Sequence, residues 1–249
     1  MLSVIILTKN EEKNIIDAIE SVSFADEIII VDDFSDDHTK EAAESLRNTK
    51  VKIFKRKLDN FAAQRNYALK KAKEDWIFFL DADERVSPGL RGEIEQLMKD
   101  GSRKKGFFVK RTDVMLGKEL KYGETSKVRL LRLAKRGSGM WHGKVHEKWE
   151  IKRDTGHLNF SLYHYPHPTI REFISEINKY TQIRAEELFK IKEPVSLLQI
   201  VTYPVGKFVQ NYFFRQGYRD GTHGFVFAMM MSFHSFLVRS KLWLLWEKK

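Results

Sequence analysis

The sequence of 249 residues contains no cysteine and only five prolines. The absence of cysteine excludes disulfide bonds and thiolate metal sites, and it is typical of a reducing compartment. The chain offers no stretch of about twenty uninterrupted apolar residues, which a membrane-spanning helix requires. Its N-terminus lacks the basic residues and the long apolar core of a signal peptide, so we expect a cytoplasmic protein.

Charge is unevenly distributed along the chain, whose formal net charge is +10. Residues 1–100 carry 16 Lys and Arg against 21 Asp and Glu, residues 101–160 carry 16 against 6, and residues 161–249 carry 12 against 7. The basic regions suit nucleic acid, anionic lipid head groups or a phosphorylated substrate, or they form a solvated surface. The acidic ends of the predicted strands in the first hundred residues would repel a polyanion, so we expect no nucleic-acid partner.

The first hundred residues alternate between strand and helix signals, which predicts an α/β fold with a parallel sheet. Strands are predicted at 2–7, 27–31, 51–54 and 76–80, and helices at 40–47, at 61–73 and in a segment ending near 22. Ligands of such sheets bind beyond the carboxyl ends of the strands. The polar residues at the ends of three of these strands are therefore candidates for one site.

The stretch from Trp76 to Glu84 places five apolar residues directly before three carboxylates. We expect a buried strand that presents Asp81, Asp83 and Glu84 to a crevice, where hard oxygen ligands suit Mg²⁺ or Mn²⁺. The alternative is a solvated turn before a helix, because Ser87-Pro88 is an ordinary helix start.

Three segments together resemble the nucleotide-sugar half of a family 2 glycosyltransferase with the GT-A fold. They are Thr-Lys-Asn-Glu-Glu at 8–12, Asp-Asp-Phe-Ser-Asp-Asp at 32–37 and Asp-Ala-Asp-Glu at 81–84. The resemblance covers residues 2–90 and implies a GT-A fold, Rossmann-like with a mostly parallel central sheet flanked by helices. We expect residues 1–160 to form this catalytic domain and residues 161–249 to form a helical C-terminal region.

The resemblance also implies a set of donor-binding residues. They are Thr8, Asn10, Glu11, Asp33, Arg65, Asp81 and Asp83. Asp33 would bind the base, Asp81 would lie near the ribose, and Asp83 would be the direct ligand of a divalent cation, with Asp81 as a second candidate. A carboxylate at position 33 can accept the imide N–H of uracil, although an Asx-turn or a helix cap is the structural alternative. Arg65 could pair with the diphosphate or form a surface ion pair.

Residues 101–160 resemble the acceptor half of the same family. Strands are predicted at 106–111 and 127–133, followed by a segment from 140 to 149 that contains His146-Glu147. We choose Glu147 as the general base, because an inverting displacement needs a group that takes the acceptor hydroxyl proton. His146 is the rival base, and a salt bridge from Glu147 to Lys144 or Lys148 is the structural alternative.

Three more residues of this segment are candidates for acceptor binding. Trp141 and Trp149 could stack on a sugar ring, although aromatic residues that flank a strand are more often core residues. His142 could contact the diphosphate or a metal, although a polar surface position is the more common role of such a histidine.

The C-terminal region contains a predicted helix at 170–189 and two very apolar stretches at 195–214 and 225–246. Both stretches suit helices in a membrane interface, with Trp243 and Trp246 at the boundary, but a helical cap or a homodimer contact are alternatives. The turn at 217–224 and its surrounding aromatic residues resemble the bacterial branch of the family that builds lipopolysaccharide core.

Taken together, these features predict an inverting, metal-dependent glycosyltransferase that uses a nucleotide-sugar, most simply a UDP-sugar. Its acceptor would be lipid-linked or lipopolysaccharide core, and the protein would contact the anionic inner face of the cytoplasmic membrane. A polyprenyl-phosphate glycosyltransferase and a basic nucleic-acid-binding module are the alternatives. A catalytically inactive sugar-binding scaffold is a third.

Overall fold

A computed structural model shows two compact units. The sheet unit comprises Met1–Arg111 and Val128–His164, and the helical unit comprises Thr112–Lys127 and Tyr165–Lys249. A domain boundary at residue 160 stays a prediction; the compact units divide the chain after residue 164 and assign residues 112–127 to the helical unit. The described residues are 1–143, 147–151, 154–166 and 169–247.

Four parallel strands form one half of the central sheet. The elements of this half are β1 (Leu2–Thr8), α1 (Ile15–Ser21), β2 (Glu27–Asp32), α2 (Thr39–Ser45), β3 (Val51–Lys55), α3 (Phe61–Lys71) and β4 (Trp76–Asp81). β1 pairs in parallel with β2 and with β4, and β2 pairs in parallel with β3. The predicted α/β alternation is confirmed, with element ends that differ from the prediction by one or two residues in most cases.

The other half of the sheet is antiparallel. Its elements are β5 (Glu84–Val86), α4 (Pro88–Asp100), β6 (Gly106–Met115), β8 (Arg129–Lys135) and β11 (Thr155–His164). The strand order is β3-β2-β1-β4-β8-β6-β11-β5. A separate hairpin pairs β9 (Gly139–His142) with β10 (Lys148–Ile151). Strand β4 is therefore the boundary where parallel pairing with β1 changes to antiparallel pairing with β8.

Both faces of the central sheet are covered by apolar contacts, because the central strands are apolar on both sides. Ile6, Ile30 and Phe78 lie in the cluster on one face, and Ile5 and Phe79 lie in the cluster on the other. All five side chains are buried. Successive residues of a strand point to opposite faces, so these continuous apolar runs bury the strands on both sides and expose mainly their ends.

The helical unit is built from three helices and short connections. The helices are α5 (Ile170–Lys190), α6 (Leu197–Val209) and α7 (Thr222–Glu247). The shorter elements are the strand β7 (Lys118–Glu119), a π-helical turn (Gln210–Phe214) and a 3₁₀ turn (Gly217–Asp220). Ser196 caps α6 through a capping box with Gln199. The helices predicted at 170–189 and in the two apolar stretches are thus present.

Helix α6 has no buried residue, and five of its apolar side chains are exposed. Leu197 is 76% exposed and Leu198 is 71% exposed. Within the described parts of the chain, no helix combines the length and the apolar character that crossing a bilayer requires. Contact of this face with a membrane or with a second copy of the chain stays a prediction.

Candidate active site

The polar strand ends lie side by side because the parallel register aligns them. Thr8 is in register with Asp32, and Leu7 is in register with Asp81. The carboxyl ends of β1, β2 and β4 therefore form one edge of the sheet, where ligands of open α/β sheets bind.

Asp81 is held by two arginines. Nη2 of Arg65 donates to Oδ1 of Asp81 at 3.0 Å, and Nη2 of Arg132 donates to Oδ2 at 2.5 Å. The same Arg132 atom also donates to Oε1 of Glu84 at 2.7 Å. Because both oxygens of Asp81 already accept from guanidinium groups, this arrangement does not favour Asp81 as a metal ligand; that role stays a prediction.

Burial and the two arginines set the protonation of these carboxyl groups. Burial alone would raise the pKa of Asp81, but the positive charges of Arg132 and Arg65 outweigh it and hold that pKa well below its usual range. The pKa of Glu84 is raised, because its burial and the charge of Asp81 outweigh the attraction of Arg132. Glu84 is fully buried and faces Arg132, so the expectation that it is presented to a crevice is wrong.

Asp83 lies beside a histidine that is distant in sequence. Oδ2 of Asp83 is 3.2 Å from Nε2 of His164, and both side chains are partly exposed. Strand β11 pairs with β5 in the register His164 to Glu84, which brings the histidine next to the acidic loop. A carboxylate oxygen and an imidazole nitrogen fit Mn²⁺ or a similar cation whose other ligands come from a diphosphate or water. No group of three His, Asp or Glu suited to a metal occurs among the described residues.

Arg65 connects the acidic loop to the predicted general base. Its Nε atom lies 3.4 Å from Oε1 of Glu147, while its Nη2 atom bonds to Asp81. The guanidinium lies over the ring of Trp141 at 4.5 Å and near the ring of Phe79 at 5.5 Å. The described cationic partner of Glu147 is thus Arg65 rather than Lys148, and a pairing with Lys144 lies outside the described residues.

A cavity of about 690 Å³ is lined by residues of both the donor half and the acceptor half of the predicted catalytic domain. Asp81 and Glu147 line it together with Arg65 and Arg132. Nη1 of Arg65 and Nε of Arg132 are buried and have no hydrogen-bond partner among the described residues. Buried donors of this kind are normally satisfied, so these two atoms mark a place where an anionic or polar ligand group would complete the network.

The two predicted stacking residues are mostly core residues. Trp141 and Trp149 are buried, stack on each other at 5.6 Å, and contact Phe79 edge-on. They also line the cavity, and both indole Nε1 atoms are buried without a described partner. His142 is exposed, lies 4.0 Å from Glu150 and is not among the residues that line the cavity. An acceptor role for these three residues stays a prediction.

The predicted nucleoside loop is ordered by its own hydrogen bonds. Oδ1 of Asp33 accepts from the backbone N–H of Leu58 at 2.7 Å, and Oδ2 lies 3.2 Å from Nζ of Lys9. Asn10 has a left-handed backbone with φ of 56°, and its backbone N–H donates to the hydroxyl of Ser35. The predicted base-binding role of Asp33 is compatible with these bonds, because each carboxylate oxygen can accept more than one.

The other two residues of this loop differ in environment. Thr8 is buried, and its hydroxyl has no hydrogen-bond partner among the described residues. The pKa of Glu11 is raised, mainly by burial and also by the charge of Asp83, while a hydrogen bond from Asn14 opposes the shift. Glu11 is therefore close enough to the acidic loop to respond to its charge. The rival base His146 lies outside the described residues.

The profile of glycosyl transferase family 2 matches residues 3–141. The chain belongs to this family. This family 2 glycosyltransferase is 28% identical over 247 residues to the lipopolysaccharide core biosynthesis glycosyltransferase LpsC of Rhizobium meliloti. The alignment covers 97% of this chain and 92% of LpsC. It is 29% identical to an uncharacterized glycosyltransferase of Rickettsia bellii, with 97% of this chain and 85% of that protein covered.

Among solved structures, the family 2 glycosyltransferase is similar to S. aureus TarS. The crystal structure of TarS residues 1–349 in complex with UDP matches with a TM-score of 0.52 and 15% identity, covering 100% of this chain and 92% of that chain. The likeness confirms the GT-A fold predicted from the sequence.

Two residues of the site, Arg132 and His164, are not among the residues predicted from the sequence. Arg132 is one of several basic residues in a predicted strand, and His164 lies between the predicted strands and the predicted helix at 170–189. Their positions depend on the antiparallel pairing of β8 with β4 and of β11 with β5. Non-local pairing of this kind is not encoded in local periodicity. A search for basic residues at the predicted strand ends could have found Arg132 as one of several candidates.

Proposed function

We propose that this glycosyltransferase transfers a sugar from a UDP-sugar, with inversion, to a hydroxyl of a lipid-linked or lipopolysaccharide-core acceptor. The observation that carries the proposal is that one guanidinium, that of Arg65, contacts both Asp81 of the donor edge and Glu147 of the acceptor half. The name of the relative LpsC supports the lipopolysaccharide-core acceptor.

The donor would bind along the carboxyl edge of the parallel strands. Asp33 would accept the imide N–H of uracil, which cytosine lacks. Asp83 and His164 would hold a divalent cation, whose charge neutralises the diphosphate of the donor. The buried Nη1 donor of Arg65 would complete its hydrogen bonding on the same diphosphate, so departure of UDP requires no separate proton donor.

The acceptor hydroxyl would be activated by Glu147. A carboxylate in the same cavity as Asp81 can take the hydroxyl proton while the oxygen attacks the anomeric carbon from the side opposite the leaving group. In the free protein Arg65 lies beside Glu147, and this contact holds the carboxylate in the cavity that Asp81 also lines.

Association with the anionic inner face of the cytoplasmic membrane is part of the proposal. Several apolar side chains of α6 are exposed, and the helical unit also carries basic residues. Amphipathic helices of this kind lie in the membrane interface, with basic side chains that reach the head groups. Such contact would bring the enzyme to a lipid-linked acceptor.

A polyprenyl-phosphate acceptor is the second candidate. The cavity is also lined by Arg111, Arg129 and Lys148, which suit an acceptor that carries a phosphate. A phosphate acceptor is already an anion and needs little base catalysis, so the two candidates differ in how strongly they depend on Glu147.

Calorimetric titration of UDP into the full chain tests the donor half of the proposal. We expect binding with Mn²⁺, loss of binding with EDTA, and weaker binding of CDP and GDP. Asp83→Ala should abolish the metal-dependent part, whereas Asp100→Ala, at an exposed position of α4, should behave as the wild type. Equal binding of UDP with and without metal would contradict the assigned metal site, and absence of binding of any nucleoside diphosphate would contradict the donor class.

A further inference from the structure

A second cavity, of about 660 Å³, lies within the helical unit between α5, α6 and α7. Three cationic residues, Arg184, Lys207 and Arg239, line it together with His234. No Asp or Glu is among the residues that line it in the described part of the chain. Arg184 pairs with Glu187 of its own helix at 2.9 Å. A cavity with several cations and no carboxylate in its lining is suited to an anion.

The charges around this cavity are only partly compensated. Lys207 lies 2.7 Å from Glu124, but Arg215 lies 3.7 Å from the same carboxylate, so one negative charge serves two positive ones. The guanidinium of Arg239 lies 4.4 Å over the ring of Tyr203 and has no ion-pair partner among the described residues. Arg239 therefore offers its hydrogen-bond donors to a ligand.

Lys241 adds a further positive charge to α7, although it does not line the cavity. Nζ of Lys241 donates to Oγ1 of Thr181 and to two oxygens of Asn178, all of them neutral acceptors. The pKa of His234 is lowered, mainly by burial and further by the charges of Lys207 and Lys241. The lowered pKa favours the neutral imidazole, which can donate one hydrogen bond to a ligand.

Exposed apolar side chains lie close along α6 and α7 to residues that line the cavity. Phe236 and Trp243 are exposed and lie three residues before and four residues after Arg239, so they flank it on one side of α7. On α6, the exposed Val201 and Val205 each directly precede a residue that lines the cavity. These two side chains therefore lie next to the cavity-lining face of the helix. A basic site bordered by apolar surface matches an amphiphile with an anionic head group.

We propose that this cavity binds the phosphate head group of an anionic lipid in a bilayer, with Arg239 as its principal contact. The inference rests on the proposed membrane association and adds a defined site to it. A free phosphate would contact the cationic side chains but would leave the exposed apolar residues in water. A lipid in a bilayer would contact the cationic side chains through its head group and the apolar residues through the membrane.

Co-sedimentation of the full chain with vesicles of phosphatidylcholine, with and without phosphatidylglycerol, tests the proposal. A single basic residue near an anionic surface accounts for about fivefold in membrane partitioning by nonspecific attraction. We expect Arg239→Gln to reduce partitioning onto the phosphatidylglycerol vesicles by about 20-fold or more, because a specific site loses its main donor. The matched control Arg171→Gln, at an exposed position of α5, should lose about fivefold or less. Arg239→Lys should recover part of the loss.

Several outcomes would overturn the proposal. Equal losses in Arg239→Gln and Arg171→Gln would indicate nonspecific attraction, and equal binding to both vesicle types would indicate apolar contact alone. Glycerol phosphate provides a further test. If it releases the protein from vesicles and binds the protein equally well when no vesicles are present, the site belongs to a free phosphate. UDP titration of Arg239→Gln should match the wild type, which verifies folding. Normal UDP binding without vesicle binding would refute this site and leave the donor assignment intact.

Discussion

Nε2 of His164 lies 3.2 Å from Oδ2 of Asp83, although about 80 residues separate them in the chain. The pairing of β11 with β5 creates this proximity, and it supplies a nitrogen ligand beside a partly exposed carboxylate of the acidic loop. The proposed metal site is therefore assembled from two distant parts of the chain.

Replacing His164 by Ala should weaken the metal-dependent binding of UDP. Loss even of an outer-shell partner typically costs about 10–100-fold in metal affinity, and a direct ligand should cost no less. Manganese titration in the presence of UDP measures the effect. His157→Ala, an exposed position of the same strand, serves as the control and should change the affinity by less than about threefold. Unchanged manganese affinity in His164→Ala would remove His164 from the site.

Glu147→Gln should reduce turnover by about 10²–10⁴-fold while UDP binding stays close to that of the wild type, because the amide cannot accept the acceptor proton. Transfer from a UDP-sugar to a lipid-linked acceptor hydroxyl measures turnover. Glu150→Gln, an exposed position of the same hairpin, should leave turnover nearly unchanged. Retained turnover in Glu147→Gln would argue for an acceptor that is already an anion.

Arg132→Met should destabilise the protein by about 3–5 kcal/mol at pH 7, because it leaves the buried Glu84 without its guanidinium partner. Urea unfolding measures the loss, with the exposed Arg136→Met as a control. In the variant the pKa of Glu84 in the folded state rises further above its value in the unfolded chain. Lowering the pH toward the pKa of Glu84 in the unfolded chain should therefore reduce the difference in unfolding free energy between wild type and variant. A difference that grows instead would contradict the assigned pairing.

Glu27 should contribute stability that is lost in acid. Its carboxylate accepts from Oγ of Ser3, Nζ of Lys52 and the backbone N–H of Lys73. Burial alone would raise the pKa of Glu27, but these hydrogen bonds outweigh it and lower the pKa below 4.5. Because the folded pKa is the lower one, the contribution is complete above the unfolded pKa and disappears as the pH falls through the folded pKa.

The expected loss in Glu27→Gln is about 1–2 kcal/mol at pH 7, which is typical of hydrogen bonds to a charged group. Urea unfolding at a series of pH values should show the difference from the wild type decreasing below about pH 4. Glu20→Gln, at an exposed position of α1, should show no such trend. A difference that is independent of pH would contradict the role assigned to the charge.

Local patterns predicted the parallel half of the sheet well. The apolar runs of β1, β2 and β4 are continuous because both faces are buried, and each ends at a polar residue. Thr8, Asp32 and Asp81 therefore appear in the sequence as abrupt changes from apolar to polar residues. The same logic located the acidic loop, since strand ends in parallel sheets share one edge.

The antiparallel half was less accessible to the same reasoning. The sequence predicts Glu84 as a third exposed carboxylate. In the structure Glu84 is buried and accepts a hydrogen bond from Arg132 of strand β8. The sequence predicts Arg65 as a donor-side residue, but its contact with Glu147 depends on the placement of the β9–β10 hairpin. Pairings between strands that are distant in sequence decide these contacts, and local periodicity does not specify them.

The π-helical turn at Gln210–Phe214 constrains how this region can vary in length. Each of its hydrogen bonds spans one residue more than in an α-helix. The buried Asn211 bonds to Glu124, while Phe214 is exposed. Deleting a single residue here would restore an ordinary α-helix and rotate the start of the 3₁₀ turn by about 100° about the helix axis. Natural sequences of this protein should therefore tolerate apolar exchanges at the exposed position far more readily than insertions or deletions in this turn.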